Sequence, residues 1–270
     1  MLSFGMDCPA PPGEITLYYR KAGRFTREQC RRRGNSSCYR ARYLLQWAAY
    51  TGRIFPILYG ETHDKEETYP AMTVIKYLLC AVLAYLLGSI STGVLVSRAL
   101  FHDDVRQHGS GGTGATNMLR TYRLKAALLT FAGDAAKAAA AALLGRALAG
   151  FGGGCVAAVF VVAGHMWPLF FGFRGGKGIA CSVGTLAVLC PILLPPLAAL
   201  WALPVLLTRY ISLGSITAAL ALTPAVWLWC GRTGQPAVLP VLCAACCTLL
   251  ILWAHRGNIA RLAHGQENKL

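Results

Sequence analysis

Residues 109–120 read GSGGTGATNMLR and bring together the groups that proteins use to bind a small anion. Glycine lets the backbone come close to a ligand, and successive backbone N–H groups in such a turn form an anion-binding nest. Ser110, Thr116 and Asn117 add neutral hydrogen-bonding groups, and Arg120 adds a cationic fork that suits phosphate or carboxylate. A flexible loop between helices is the simpler interpretation of one glycine run. The choice between a loop and an anion-binding site therefore depends on the other polar segments of the chain.

Three further polar clusters lie beside apolar segments: GHMWPLFFGFRGGKG at 164–178, SLGSIT at 212–217 and HRGNIARLAHGQENK at 255–269. The GGKG turn is not a P-loop, because a P-loop needs Ser or Thr after the lysine and Gly178 follows Lys177. Lys177 is still a good point charge for phosphate, although an interfacial lysine that sets topology is the alternative. His255 and Asn258 lie nearly one helical turn apart, so they can share a ligand.

The elements that carry these clusters are those of an all-α polytopic membrane bundle. The chain is 55% hydrophobic and only 14% charged, whereas soluble domains carry about 25% charged residues. Segments long enough to span a bilayer are Thr73–Leu100, Leu124–Leu144, Gly152–Phe171, Gly178–Leu207, Ile211–Trp229 and Pro236–Ala254. Proline breaks helices, so Pro191, Pro195 and Pro196 divide Gly178–Leu207 into two short spans. We therefore expect about seven transmembrane helices.

The distribution of charge predicts how these helices are oriented. The net charge is +15, but the basic residues punctuate apolar runs and form no continuous stripe, which argues against nucleic acid as a partner. The segments around 98–125, 174–177, 209 and 255–270 hold 11 Lys/Arg, whereas the opposite side holds only Lys76, Arg146 and Arg232. The positive-inside rule then places the N-terminus outside and the C-terminus in the cytoplasm. All four polar clusters fall on the cytoplasmic side, where we expect them to form one composite site.

Other kinds of chemistry have weaker support. Asp134 and Lys137 lie three residues apart inside the second span, where charges are expensive, and we expect a salt bridge facing the bundle. Lys137 could also lean toward the cytoplasmic site. Cys243 and Cys246 have CxxC spacing in a uniformly apolar run without a second ligand pair, which argues against a metal or redox site. The chain has no GxSxG or HxxxxD motif, so the site is poor in an obvious general base.

The first 71 residues differ from the rest. They carry 11 Lys/Arg and 7 Asp/Glu and contain no clean apolar segment of spanning length. We expect residues 1–71 to be either an accessory extension or the product of an upstream start codon, with Met72 as the true initiator. Residues 72–270 form the membrane domain.

From Thr73 to Lys269 the chain resembles the PlsY family of bacterial membrane acyl-phosphate:glycerol-3-phosphate acyltransferases. The resemblance rests on GSISTG at 88–93 and on the four clusters above, in the family's order and spacing. It implies a seven-span enzyme of the inner membrane with its active site facing the cytoplasm. Such an enzyme transfers a fatty acyl group from acyl-phosphate to the 1-hydroxyl of glycerol 3-phosphate. The products are lysophosphatidic acid and phosphate, in the first acylation step of phospholipid synthesis.

The resemblance also implies partners and site residues. It implies no cofactor and no metal, contact with membrane lipid, and a soluble PlsX-family phosphate acyltransferase that supplies acyl-phosphate. The implied catalytic residues are Ser110, Arg120, Lys177, Ser215, His255 and Asn258. The implied substrate-binding residues are Gly109, Thr116, Asn117, Gly175 and Gly176. Arg120 and Lys177 would neutralise phosphate.

Other members of the set would act through hydrogen bonds. Ser110, Asn117 and Ser215 would bond phosphate or hydroxyl groups, and His255 and Asn258 would orient the acceptor. A substrate phosphate oxygen would serve as the base, which agrees with the absence of HxxxxD. The chain departs from the family pattern at Gly112, where the family has asparagine, and at Ser91, where it has proline.

Two alternatives to an enzyme remain at this point. A transporter or channel for a small anionic solute would also use glycine turns and broken helices. It should place polar residues at the bilayer midplane, where only Asp134 and Lys137 qualify. A non-catalytic membrane anchor would not need five ordered motifs.

Overall fold

A computed structural model describes residues 70–270, so all but the last two residues of the 1–71 segment lie outside the described part. Every regular element within residues 70–270 is helical, as predicted. The helices are α1 (Pro70–Gly88), α2 (Thr92–Phe101), α3 (Ala115–Met166), α4 (Ile179–Leu189), α5 (Leu194–Thr208), α6 (Ile211–Thr233), α7 (Val238–Ala254) and α8 (Arg256–Ala263).

The first predicted span, Thr73–Leu100, is broken into two helices. Helix α1 ends at Gly88 and α2 begins at Thr92. The Lys137 ammonium group donates to the Gly88 carbonyl at 2.9 Å and to the Ile90 carbonyl at 2.6 Å. A lysine at a helix C-terminus satisfies carbonyls that have no partner within the helix. The predicted span is therefore two helices rather than one continuous helix, because a charge from another helix stabilises a turn in its middle; the whole stretch is still long and apolar enough to cross a membrane.

Helix α3 is too long to be one span. Its 52 residues would extend about 78 Å as a straight rod, more than twice the roughly 30 Å hydrocarbon core of a bilayer. The backbone leaves helical geometry at Arg123 and again at Ala149 and Gly150. The second break folds 124–148 and 151–166 back on each other, so closely that a Cβ on Gly145 would overlap the Gly153 backbone. The predicted turn between the second and third spans is confirmed.

The proline-rich stretch also breaks as predicted. Helix α4 ends at Leu189, a short 3-10 turn occupies Pro191–Leu193, and α5 begins at Leu194. Within residues 70–270, four helical stretches are long and apolar enough to cross a membrane, and α7 with α8 makes a fifth if that bent pair is one span. These stretches are Ala71–Phe101, Ala115–Phe171, Pro191–Thr208 and Ile211–Thr233. The count of seven stays a prediction.

Small side chains fill the core between the helices. The main cluster contains Ala138, Ala142, Ala157, Cys155, Cys181, Cys230 and Cys247. Membrane helices pack through small residues that let their backbones come close. Six of the eight described cysteines are buried and none of the eight forms a disulfide, so they pack as small apolar side chains.

Candidate active site

A cavity of about 900 Å³ opens where three of the predicted polar clusters meet. Its wall is formed by the loop before α3, by the turn between α3 and α4, and by the junction of α7 and α8 with the C-terminal tail. Six cationic side chains line it: Arg120, Arg174, Lys177, Arg256, Arg261 and Lys269. No carboxylate is among its described lining residues. The cavity therefore attracts anions, and its size is that of a small-molecule site.

Asn117 holds the glycine loop that forms one wall. Its amide nitrogen donates to the carbonyls of Val105 (3.2 Å), His108 (3.0 Å) and Gly112 (2.8 Å), and its amide oxygen accepts the Ser110 backbone N–H at 3.1 Å. All the hydrogen-bonding capacity of this amide faces the loop. Asn117 is buried and does not line the cavity. Asn117 therefore fixes the shape of the glycine loop and does not contact the cavity.

The turn that carries Lys177 lies against two other segments. The Gly175 carbonyl accepts the Thr113 N–H at 3.3 Å, which joins the turn to the glycine loop, and the Gly176 N–H donates to the His165 carbonyl at 3.1 Å. A Cβ on Gly175 would overlap the His165 carbonyl, and one on Gly176 would overlap the His165 ring. Both positions need glycine because the neighbouring chain occupies the space of a side chain.

A buried carboxylate organises the cations opposite this turn. Lys177 donates to the Asn258 amide oxygen. The Asn258 amide nitrogen donates to Glu267 Oε1 at 2.8 Å, and Arg261 Nε donates to Glu267 Oε2 at 2.9 Å. Burial lowers the pKa of Lys177 to about 8; Glu267 opposes that shift, whereas Arg261 and Arg120 add to it. Lys177 is thus a cation that loses its proton more readily than an exposed lysine.

The C-terminal tail covers another side of the cavity. Arg120 Nη2 donates to the Asn268 carbonyl at 3.2 Å, and the Leu270 N–H donates to the Arg209 carbonyl at 2.9 Å. Lys269 lies 5.7 Å from the centre of the Tyr210 ring. The tail therefore places its polar groups beside Arg120 and ends near the start of α6.

His255 sits at the bend between α7 and α8. Its Nδ1 lies 2.8 Å from the Ile251 carbonyl oxygen, and only a protonated Nδ1 can bond a carbonyl. Burial, together with the charge of Lys177, lowers the pKa of His255 to about 4. The ring is therefore neutral near pH 7, with Nε2 as its hydrogen-bond acceptor.

Two ion pairs to one carboxylate stabilise the segment that precedes the glycine loop. Asp104 accepts from Arg106 at 2.7 Å and from Arg98 at 3.0 Å. Hydrogen bonds from Arg106 hold the pKa of the Asp104 carboxyl well below its usual range. Arg106 also donates to the Phe171 carbonyl at 2.7 Å, so the loop and the turn after α3 are joined a second time.

One side of the cavity is apolar. Met166, Trp167, Phe173 and Trp253 line it, and the two indoles lie with their ring centres 5.0 Å apart. The Arg256 guanidinium stacks over Trp253 at 3.9 Å from the ring centre. A ligand with a charged head and an apolar tail fits these two environments.

Comparison with known proteins decides the family. The model of the glycerol-3-phosphate acyltransferases matches residues 78–265. The chain belongs to this family. The glycerol-3-phosphate acyltransferase of Rhizobium etli is 41% identical over 193 residues, covering 72% of this chain and 91% of that protein. That of Clostridioides difficile is 37% identical over 205 residues, covering 74% and 98%.

Solved structures agree with these sequence matches. The crystal structure of PlsY, an integral membrane glycerol 3-phosphate acyltransferase, in its glycerol 3-phosphate form superposes with a TM-score of 0.65 at 35% identity. The match covers 72% of this chain and 95% of that one. A second form of PlsY, with lysophosphatidic acid, gives a TM-score of 0.63 at 34% identity. The resemblance seen in the sequence is confirmed, and the protein is a membrane acyltransferase.

The structure brings together most, but not all, of the residues expected at the site of the acyltransferase. Those that line the cavity are Gly109, Ser110, Arg120, Gly175, Gly176, Lys177 and Asn258. His255 is buried behind the lining. Thr116 and Ser215 do not line the cavity, and the Ser215 hydroxyl donates to the Ile211 carbonyl at 3.0 Å. The SLGSIT cluster therefore lies on α6 beside the C-terminal tail and outside the cavity.

Glu267 was not among the predicted site residues. Its carboxylate is buried and joins Asn258 to Arg261, so it fixes two residues of the cavity wall. A signal was available, because Glu267 is the one acidic residue that follows Asp134 in the sequence. A single acidic residue in a basic tail is a candidate partner for the cations around it.

Proposed function

We propose that the protein transfers a fatty acyl group from acyl-phosphate to the 1-hydroxyl of glycerol 3-phosphate, giving lysophosphatidic acid and inorganic phosphate. The family sets the acceptor and the reaction class. One observation carries the choice of donor: six cations surround a cavity with no described carboxylate in its lining and with one apolar side. Two phosphorylated substrates, one with an acyl chain, suit that environment.

The residues divide the binding work between them. Arg120 and Lys177 neutralise phosphate charge, and Ser110 and the backbone N–H group of Gly175 offer hydrogen bonds. Asn258 is positioned by Glu267 to meet the acceptor beside Lys177. The acyl chain lies along Trp167 and Trp253. Ser215, Thr116 and Asn117 act indirectly in this scheme, because their side chains do not reach the cavity.

The reaction needs little covalent help from the protein. The acceptor hydroxyl oxygen attacks the acyl carbonyl carbon, the bond from that carbon to the phosphate oxygen breaks, and the hydroxyl proton passes to a phosphate oxygen. Because the leaving phosphate is stable, positioning two substrates and neutralising charge can supply much of the rate. His255 does not line the cavity, so in this scheme it acts indirectly, as a neutral ring held through Nδ1 beside the residues that bind substrate.

The setting of the reaction follows from the charge pattern. We propose seven spans, with the cavity on the cytoplasmic side of a bacterial inner membrane and the N-terminus outside. A soluble acyltransferase of the PlsX family would supply the acyl-phosphate there. A transporter has less support than it had from sequence alone, because Asp134 and Lys137 bond each other at 2.8 Å.

Purified protein in detergent tests this function. We expect lysophosphatidate from acyl-phosphate with glycerol 3-phosphate, and none when acyl-CoA replaces acyl-phosphate. Lys177→Ala should lose at least about 100-fold in kcat/KM, the scale of removing one group that stabilises charge in a transition state. Lys125→Ala is the matched control, since Lys125 is exposed and lies outside the cavity. No product from the wild type, or equal rates for both variants, contradicts the proposal.

A further inference from the structure

A buried ionic cluster lies between the helices next to the cavity. Lys137 Nζ is 2.8 Å from Asp134 Oδ1 and 3.2 Å from His165 Nδ1, and Asp134 Oδ1 is 3.4 Å from the same ring nitrogen. The side chains of Asp134, Lys137 and His165 are 1%, 7% and 3% exposed. None of the three lines the cavity. Charged groups in such a place are expensive and are usually functional.

One end of this cluster holds the break between α1 and α2. Lys137 donates to the carbonyls of Gly88 and Ile90, as described above. Just beyond that break, Gly93 packs so closely on the glycine loop that a Cβ there would overlap the Thr113 carbonyl. The position of α2, and with it one side of the glycine loop, therefore depends on Lys137.

The other end of the cluster supports the turn that carries Lys177. The His165 ring fills the space beside Gly176, with Nε2 as the nearest atom to a Cβ built at that glycine. The His165 carbonyl accepts the Gly176 N–H, and Gly175 in turn accepts the Thr113 N–H. The cluster is thus linked by packing and hydrogen bonds to both of the loops that line the cavity.

We propose that Asp134, Lys137 and His165 are positioning residues for acyl transfer: together they fix the Gly175–Lys177 turn and the glycine loop relative to each other from inside the bundle. The inference rests on the proposed function. Lys137 holds one support and the His165 ring holds the other, and Asp134 contacts both of these side chains. A change at one support is therefore transmitted to the phosphate-binding groups at the other. Misplacement of about 1 Å at a reacting centre is enough to lower a rate severely.

A metal ion is the competing interpretation of the cluster. Asp134, His165 and Cys181 offer three ligand atoms within 4.8 Å of one another. The Lys137 ammonium group, however, already contacts two of these three residues. A divalent ion would have to displace it or share its place, which adds charge to an apolar core. Lysine is the cation that the cluster accommodates.

A double-mutant cycle between the cluster and the turn tests the inference. Gly176→Ala should raise KM for glycerol 3-phosphate at least about tenfold, because its methyl group overlaps the His165 ring. His165→Ala should also raise KM, because the turn loses its support. In Gly176→Ala/His165→Ala the methyl group enters the vacated space, so the combined effect should be smaller than the product of the two single effects by roughly tenfold. His165→Asn, which keeps a polar group near Asp134, replaces His165→Ala if that variant does not fold.

Two controls separate positioning from folding. Val161→Ala removes a fully buried side chain one turn before His165; it should lower the melting temperature and leave KM unchanged. Lys137→Met should raise KM for glycerol 3-phosphate. Lys137→Arg, which can still donate to both carbonyls, should keep KM close to the wild-type value. Single effects that simply multiply, or a KM change in Val161→Ala equal to that of His165→Ala, contradict the inference. A wild type that forms no lysophosphatidate contradicts the proposed function instead.

Discussion

The charge of Lys177 changes between pH 7 and pH 9. Its pKa is lowered to about 8, chiefly by burial. The protonated form binds phosphate, so a lowered pKa means that binding is complete below pH 8 and is lost as pH rises through it. About nine-tenths of Lys177 is charged at pH 7 and about one-tenth at pH 9. We therefore expect KM for glycerol 3-phosphate to rise about tenfold between pH 7 and pH 9.

Initial rates of lysophosphatidate formation over a pH series test this expectation. The charge of the substrate changes little over this range, because a phosphate monoester has its second pKa near 6 and is mainly a dianion from pH 7 to pH 9. His255, with a pKa of about 4, stays neutral throughout. Lys177→Arg is the matched variant, since a guanidinium group stays protonated, and its KM should be flat from pH 7 to pH 9. A flat profile in the wild type, or the same rise in Lys177→Arg, would refute the reasoning.

Three further predictions concern the loops around the site. Gly112→Asn restores the amide of the family pattern. A Cβ at this position would lie at ordinary contact distances of 3.6 Å and 3.8 Å from its nearest atoms. In initial-rate assays, KM for at least one of the two phosphorylated substrates should therefore fall several-fold. Ser91→Pro removes a buried hydroxyl without a partner at a φ of −85° that proline nearly matches; thermal unfolding in detergent should shift upward by about 2–4 °C. Asn117→Ala removes the amide that contacts three carbonyls and accepts the Ser110 N–H, so kcat/KM should fall at least about 30-fold, whereas an unchanged value would show that the loop keeps its shape alone.

Part of the site was predictable because its signals are local. Glycines, hydroxyls and cations cluster in the sequence, and the bias of charge toward one side predicts that the clusters meet. Three of the four clusters do meet, at the cavity lined by Ser110, Arg120, Lys177 and Asn258, whereas the SLGSIT cluster lies outside it. The Asp134–Lys137 salt bridge was likewise predictable, since residues three apart share a helix face.

The rest depends on contacts between distant segments. Ser215 looks like a ligand in the sequence, yet its hydroxyl bonds the backbone one turn earlier, a choice that depends on local geometry. The break after Gly88 is stabilised by Lys137, 49 residues further along the chain. Hydropathy cannot predict such a break, because the interrupted segment is as apolar as an unbroken helix.

The six cations of the cavity also bear on how each catalytic cycle ends. If the two substrates are both phosphorylated, as proposed, the same surface also attracts the inorganic phosphate that the transfer releases. In the proposed reaction we therefore expect departure of that ion, rather than bond making, to limit turnover, and free phosphate in the surrounding medium to inhibit the enzyme by occupying the same place.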